Sequence, residues 1–299
     1  MGVFKLKFEG CFTAIVTPFK GTGPNTPVDW EGFKELLKFQ EENGVSGIVA
    51  TGTTGESPTL SHEEHNRVIE VAVENFKGIV IAGTGSNCTW EAIKMTEHAA
   101  DVGAHASLQV TPYYNKPSQE GLFRHFGAIA EKVDIPHILY NVPGRTSKEI
   151  APETMARLEE EYSNIIGVKE ASGSEEVWKG VRKHCSSDFL ILSGNDGDTF
   201  RLMRDYNAKG VVSVASNVIP RRMENFVQMG LKGDFSAMER EDKLLQDFFK
   251  VLFIDSNPIP VKEAMNILGL PAGGYRYPLC ETSDENKEKI NSILKKVVQ

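Results

Sequence analysis

The chain has 299 residues, 40% of them hydrophobic and 25% charged, enough to bury a substantial core without a membrane, metal or disulfide staple. A formal net charge of −8 and no cluster of Lys and Arg argue against nucleic acid as a partner, because neutralising phosphates needs concentrated positive charge. Cys11, Cys88, Cys185 and Cys280 are scattered with no C-x-x-C pair, so neither a zinc knuckle nor a dithiol redox motif is expected.

Met1–Gly10 holds no apolar core of leader length, and no run approaches the ~18 apolar residues of a membrane span, so a cytoplasmic protein is expected. Short apolar or β-branched runs then follow at Ala14–Thr17, Gly47–Ala50, Ile79–Gly83, Ala106–Val110, His137–Asn141, Ile165–Lys169, Phe189–Ser193 and Gly210–Val214. Between them lie amphipathic stretches such as Trp30–Asn43, Ser61–Phe76, Trp90–Val102 and Gln119–Lys132. Eight strand-like runs alternating with helices predict an α/β fold, a closed (β/α)8 TIM barrel, over residues 1–230. From there the pattern is helical only, with Arg222–Met229 closing the barrel. Phe235–Phe253, Pro260–Leu268 and Glu285–Val298 form a small C-terminal helical appendage over 231–299. A doubly wound open sheet would want a glycine-rich loop after its first strand, and Thr17-Pro18-Phe19-Lys20-Gly21 is not one. Turn signals at 51–55, 83–85 and 193–197 directly follow strand runs and mark the C-terminal rim, where barrels carry their active sites.

The most informative segment is Asn164-Ile-Ile-Gly-Val-Lys169-Glu170. Strand alternation predicts that Lys169 shares a face with Ile165 and Gly167, with Ile166 and Val168 turned to the helices and Gly167 leaving room beneath the amine. A free lysine at pH 7 is neutral in only about one molecule in 2,500. Desolvation at a barrel mouth would expose the lone pair that attacks a ketone. Taken alone, Lys169 reads more readily as a lysine snorkelling to the rim or paired with Glu170; the neighbouring motifs overturn that reading. Tyr140 ends the preceding strand and can shuttle protons. Arg145, on the turn after it, can form a fork with a carboxylate. Gly52-Thr53-Thr54-Gly55-Glu56-Ser57 offers hydroxyls and backbone N–H groups suited to a small anion. Tyr113 and Tyr114 are paired aromatics after the fourth strand.

Gly-Thr-Thr-Gly-Glu-Ser, Tyr-Asn-Val-Pro-x-Arg-Thr and Gly-Val-Lys-Glu-Ala-Ser, in this order, resemble the pyruvate-dependent class I aldolase family of dihydrodipicolinate synthases and N-acetylneuraminate lyases. The similarity runs from Thr13-Ala-Ile-Val-Thr-Pro18-Phe19 to Asn257-Pro-Ile-Pro-Val-Lys262. The resemblance implies an imine between Lys169 and pyruvate, with no other cofactor and no metal. It implies a proton relay of Thr53, Tyr140 and Tyr114, the last reaching into a neighbouring subunit's site, and hence a homotetramer built as a dimer of dimers. Thr54 would bind the pyruvate carboxylate, Gly194 and Val212 would line the pocket with backbone, and Arg145 would hold the second substrate's carboxylate. Arg145-Thr146 and the Gly-Thr-Thr-Gly pattern resemble the synthase branch, whose reaction joins pyruvate to L-aspartate 4-semialdehyde to give 4-hydroxy-tetrahydrodipicolinate. Ser57, His62, His65, Asn87, Glu91 and Tyr113 match positions that bind feedback L-lysine in inhibited members. Asn195 stands where the family often has aspartate, and Phe253–Asn257 departs from the commoner acidic spacing. The competing readings are a lyase or aldolase for sugar acids on the same fold, and a non-catalytic pyruvate or lysine sensor; the latter has no need of an imine-forming amine.

Overall fold

The computed structural model describes residues 6–298; Met1–Lys5, half of the Met1–Gly10 segment considered above, and Gln299 fall outside the described residues. Eight strands, β1 (Gly10–Ala14), β2 (Gly47–Ala50), β3 (Ile79–Gly83), β4 (Ala106–Val110), β5 (His137–Asn141), β6 (Ile165–Glu170), β7 (Leu190–Ser193) and β8 (Gly210–Ser213), pair in parallel in chain order. β8 pairs back to β1 and closes the barrel. The strands are apolar on both faces because one face fills the barrel and the other carries helices. Phe12, Val49, Ile81, Leu108, Ile138, Leu192 and Val212 pack inside. Ile48, Val80, Leu139, Val168, Ile191 and Val211 meet the helices outside.

The surrounding helices are α1 (Trp30–Glu42), α2 (His62–Asn75), α3 (Thr89–Asp101), α4 (Gln119–Lys132), the single turn α5 (Pro143–Thr146), α6 (Pro152–Glu161), α7 (Glu175–His184), α8 (Thr199–Tyr206) and α9 (Pro220–Leu231). Their starts follow from sequence. Ser118 and Ser174 cap α4 and α7, and Ser61 with Glu64 forms a reciprocal capping box on α2. Beyond the barrel, α10 (Phe235–Val251) packs on α8 and α9, while α12 (Asp284–Val297) packs on α10 and α11 (Ile259–Ile267).

Three expectations are corrected. The first strand begins and ends earlier than Ala14–Thr17. Ile15 and Val16 are buried beyond the strand; the Ile15 amide still donates to the Val49 carbonyl at 3.2 Å, but the Val16 amide donates to Asn217 Oδ1 at 3.2 Å instead of to a strand. In β6 the pairing register with β5 shifts between His137 and Ile138, so that Ile138 faces Gly167 after His137 has faced Ile165. This bulge reverses the first two residues: Ile165 packs on the helical side and Ile166 against the interior, while Val168 remains outside. The room at Gly167 is not left for Lys169 either. A Cβ there would lie 2.4 Å from Leu190 Cβ, so the glycine admits the neighbouring strand.

Candidate active site at the mouth of the barrel

A cavity of about 470 Å³ opens at the C-terminal ends of the strands. Lys169 rises into it from β6, only 7% exposed. The register between β5 and β6 places Tyr140 directly beside it, with Lys169 Nζ 4.1 Å from the Tyr140 ring centroid. Glu170 does not pair with the amine. Its carboxylate turns away and accepts from Asn141 Nδ2 at 3.0 Å and the Ser172 amide at 2.6 Å. Apolar residues Ala14, Val49, Leu108, Val110 and Val142 line the cavity wall. The amine therefore sits largely buried beside a phenol, with no ion-paired carboxylate among the described residues.

The Thr51–Ser57 loop frames one side. Thr51 and Glu56 both adopt left-handed backbone, with φ of 54° and 53°, conformations that non-glycine residues hold only when other contacts enforce them. Those contacts are visible. Thr51 Oγ1 donates to the carbonyls of Ala50 and Gly83. Glu56 is ion-paired with Lys262 at 2.7 Å, both side chains fully buried. Thr53 and Thr54 thereby line the cavity, Thr53 partly exposed and Thr54 buried. Arg145, exposed on α5, lines the opposite rim and donates to the Asn257 carbonyl at 3.5 Å. Gly194 closes the end of β7, where a Cβ would lie 2.6 Å from Ala171 Cβ. Val212 does not reach the wall: it packs in the interior layer, and Val214 lines the cavity in its place. Tyr114 points away from this cavity, 90% exposed with φ of 71°.

Ser57, His62, His65, Glu91 and Tyr113 line a further part of the same cavity. Asn87 stands outside it but donates to the Tyr113 carbonyl at 3.1 Å. Glu91 is already engaged, by His62 Nε2 at 2.8 Å and by the Ser86 hydroxyl. His65 is not a solvated helix-face residue. It is 3% exposed, its Nε2 lies 2.9 Å from the Gly83 carbonyl, and burial lowers its pKa.

Sequence reasoning missed two contributors. Asp196, 2% exposed, accepts from the Val214 and Ala215 amides at 3.0 and 2.9 Å. Burial pushes its carboxyl up, and its hydrogen bonds and the charge of Lys169 oppose that shift. Asn257, from the chain between α10 and α11, lines the cavity and donates to Thr54 Oγ1 at 3.0 Å. Its signal was the Asn-Pro-x-Pro-x-Lys string, which also carries Lys262.

A parallel (β/α)8 barrel with a buried lysine, free of an ion-pair partner among the described residues, beside a tyrosine at its mouth is the arrangement of a class I aldolase. The dihydrodipicolinate synthetase family model matches residues 7–297, and the chain belongs to this family. It is 49% identical over 291 residues to the 4-hydroxy-tetrahydrodipicolinate synthase of Methanocaldococcus jannaschii, covering 96% of this chain and 98% of that protein. Its fold is similar to the chloride-inhibited dihydrodipicolinate synthase of Acinetobacter baumannii complexed with pyruvate, with TM-score 0.92, 40% identity, and 97% and 99% of the two chains covered. It is equally similar to the lysine-bound enzyme of Cyanidioschyzon merolae, with TM-score 0.92, 39% identity, and 97% and 98% covered.

Proposed function

We propose that the chain condenses pyruvate with L-aspartate 4-semialdehyde to give 4-hydroxy-tetrahydrodipicolinate, a step toward diaminopimelate and lysine. The observation that carries this reading is the buried Nζ of Lys169, without an ion-pair partner among the described residues, 4.1 Å from the Tyr140 ring. The amine attacks the pyruvate ketone, the carbinolamine loses water, and an imine forms; loss of a methyl proton gives the enamine that attacks the aldehyde. The second substrate's own amine then displaces Lys169 as the ring closes. Tyr140 and Thr53 move the protons of these steps, with Tyr114 supplied by a neighbouring copy in a homotetramer arranged as a dimer of dimers. Thr54 donates to the pyruvate carboxylate, Gly194 contributes backbone, and Arg145 receives the second carboxylate. The covalent imine serves in place of a cofactor, and the enzyme works in the cytoplasm. L-Lysine, held at Ser57, His62, His65, Asn87, Glu91 and Tyr113, acts as feedback inhibitor.

Borohydride reduction with pyruvate, followed by peptide mass spectrometry, tests the reading. The expected adduct is on Lys169; no adduct, or one elsewhere, would overturn it. In a coupled assay aspartate semialdehyde should turn over faster than N-acetylmannosamine, and the reverse order would assign the chain to sugar-acid chemistry instead.

A further inference from the structure

Asn257 lies outside the barrel strands and their rim loops, yet it touches both proposed carboxylate subsites. Its side-chain Nδ2 donates to Thr54 Oγ1 at 3.0 Å, across 203 positions of chain. Its main-chain carbonyl accepts from Arg145 Nη2 at 3.5 Å. The residue is 6% exposed and lines the cavity. Among the described residues Asn257 Oδ1 has no partner, so the bond to Thr54 is the amide's only one.

A hydroxyl has one proton to give and lone pairs to receive. A carboxylate can only accept, so a threonine that binds one must donate, and its lone pair must take a donor from elsewhere. Asn257 Nδ2 is that donor. By occupying a lone pair it leaves the Thr54 proton free to turn toward the cavity, which a carboxylate at position 257, able only to accept, would not do. The loop that carries Thr54 is held from the same C-terminal region a second time, through the Glu56–Lys262 pair. That contact places the backbone, whereas Asn257 places the proton.

We infer that Asn257 is a positioning residue that orients the Thr54 hydroxyl to donate to the pyruvate carboxylate, an inference that rests on the Schiff-base reading given above. Asn257→Asp reverses the bond: the new carboxylate takes the Thr54 proton and sets a second negative charge beside the bound anion. Asn257→Ser replaces the amide donor with a shorter hydroxyl that can accept as well as donate, so the direction of the bond is no longer enforced and no charge is added.

The test is the pyruvate concentration that half-saturates borohydride trapping on Lys169, read with no aldehyde present. Asn257→Asp should raise it about tenfold or more, and Asn257→Ser about threefold to tenfold, with the maximal adduct yield retained. In a Thr54→Val background, Asn257→Ser should add less than about twofold, because the group it orients is gone. In full turnover the KM for pyruvate should rise more than that for the aldehyde, since the main-chain contact with Arg145 survives either substitution. Half-saturation unchanged in both variants, or an undiminished Asn257→Ser effect in the Thr54→Val background, overturns the inference. A native chain that forms no adduct at all overturns the Schiff-base reading, and this one with it.

Discussion

Replacing Lys262 with methionine should destabilise the fold far more than replacing any surface lysine. Lys262 Nζ donates to Glu56 Oε1 at 2.7 Å, to the Thr17 carbonyl at 3.1 Å and to the Gly274 carbonyl at 2.5 Å, and lies 4.7 Å from the Phe19 ring centroid. Both side chains of the pair are 0% exposed. Burial pushes the ammonium below the usual lysine range, and the charge of Glu56 works against that shift. Methionine fills much the same volume but leaves a carboxylate buried without its cation and two carbonyls without a donor. Breaking a buried pair in this way costs about 3–5 kcal/mol, whereas an apolar replacement of both partners is often near neutral. At roughly 2.1 cal/mol/K of unfolding entropy per residue, a chain of this length should lose about 5–8 °C in Tm. Differential scanning calorimetry of Lys262→Met, Glu56→Leu and the double variant at neutral pH gives the comparison. The double variant should regain more than half of the Lys262→Met loss. A Lys262→Met shift below about 2 °C, or losses that simply add, would refute the reasoning that this pair is a desolvated unit.

Three further outcomes follow from the site and the core. His137 and His125, 2% and 6% exposed, are pushed down to about 4 by burial. Unfolded histidine titrates near 6.5, so the unfolded chain takes up protons that the folded chain refuses, and stability is lost as pH falls from about 6.5 to about 4, by up to ~3 kcal/mol per histidine. His137→Gln should flatten that limb of a Tm-against-pH curve, and an unaltered slope would show the loss arises elsewhere. Tyr140→Phe should cut kcat about 100-fold or more while leaving pyruvate trapped on Lys169; full turnover would remove the phenol from the proton path. Glu91→Ala should weaken lysine inhibition about tenfold, measured as the half-inhibiting concentration, and a native enzyme indifferent to millimolar lysine would dispense with the effector role.

Much of the barrel was legible because the strand runs are short and largely apolar, and glycine turns at 51–55, 83–85 and 193–197 follow three of them directly. Seven of the eight strand runs fall where they were expected to within a residue, and β2 to β5 match at both ends. The exceptions have a common cause in pairing. Where β1 stops depends on which amides find a partner strand, and Val16 finds Asn217 instead, a residue 201 positions away. The bulge in β6 depends on register with β5, which alternation along one strand cannot reveal. Lys169, Tyr140 and the threonine loop were legible because local motifs carry them. Asn257 and Asp196 were not, since their roles consist of contacts to distant residues: a hydroxyl in one case, two strand-end amides in the other.

That difference bears on how the site divides its labour. The barrel interior supplies an apolar wall, because side chains such as Val49 and Leu108 line the cavity beneath the mouth. The polar groups come instead from rim loops, which have no intrinsic reason to hold one shape. Their shape is enforced from the segment after α10: Asn257 on Thr54, Lys262 on Glu56, and Arg276, whose guanidinium takes both Glu64 oxygens at 2.6 Å and the Thr59 carbonyl at 2.9 Å. Phe253 and Asn257 line the cavity itself. The C-terminal segment, through Lys262 on α11 and the connections that carry Asn257 and Arg276, is thus the brace that holds the threonine loop in its strained backbone, whereas the lysine is held by the barrel itself.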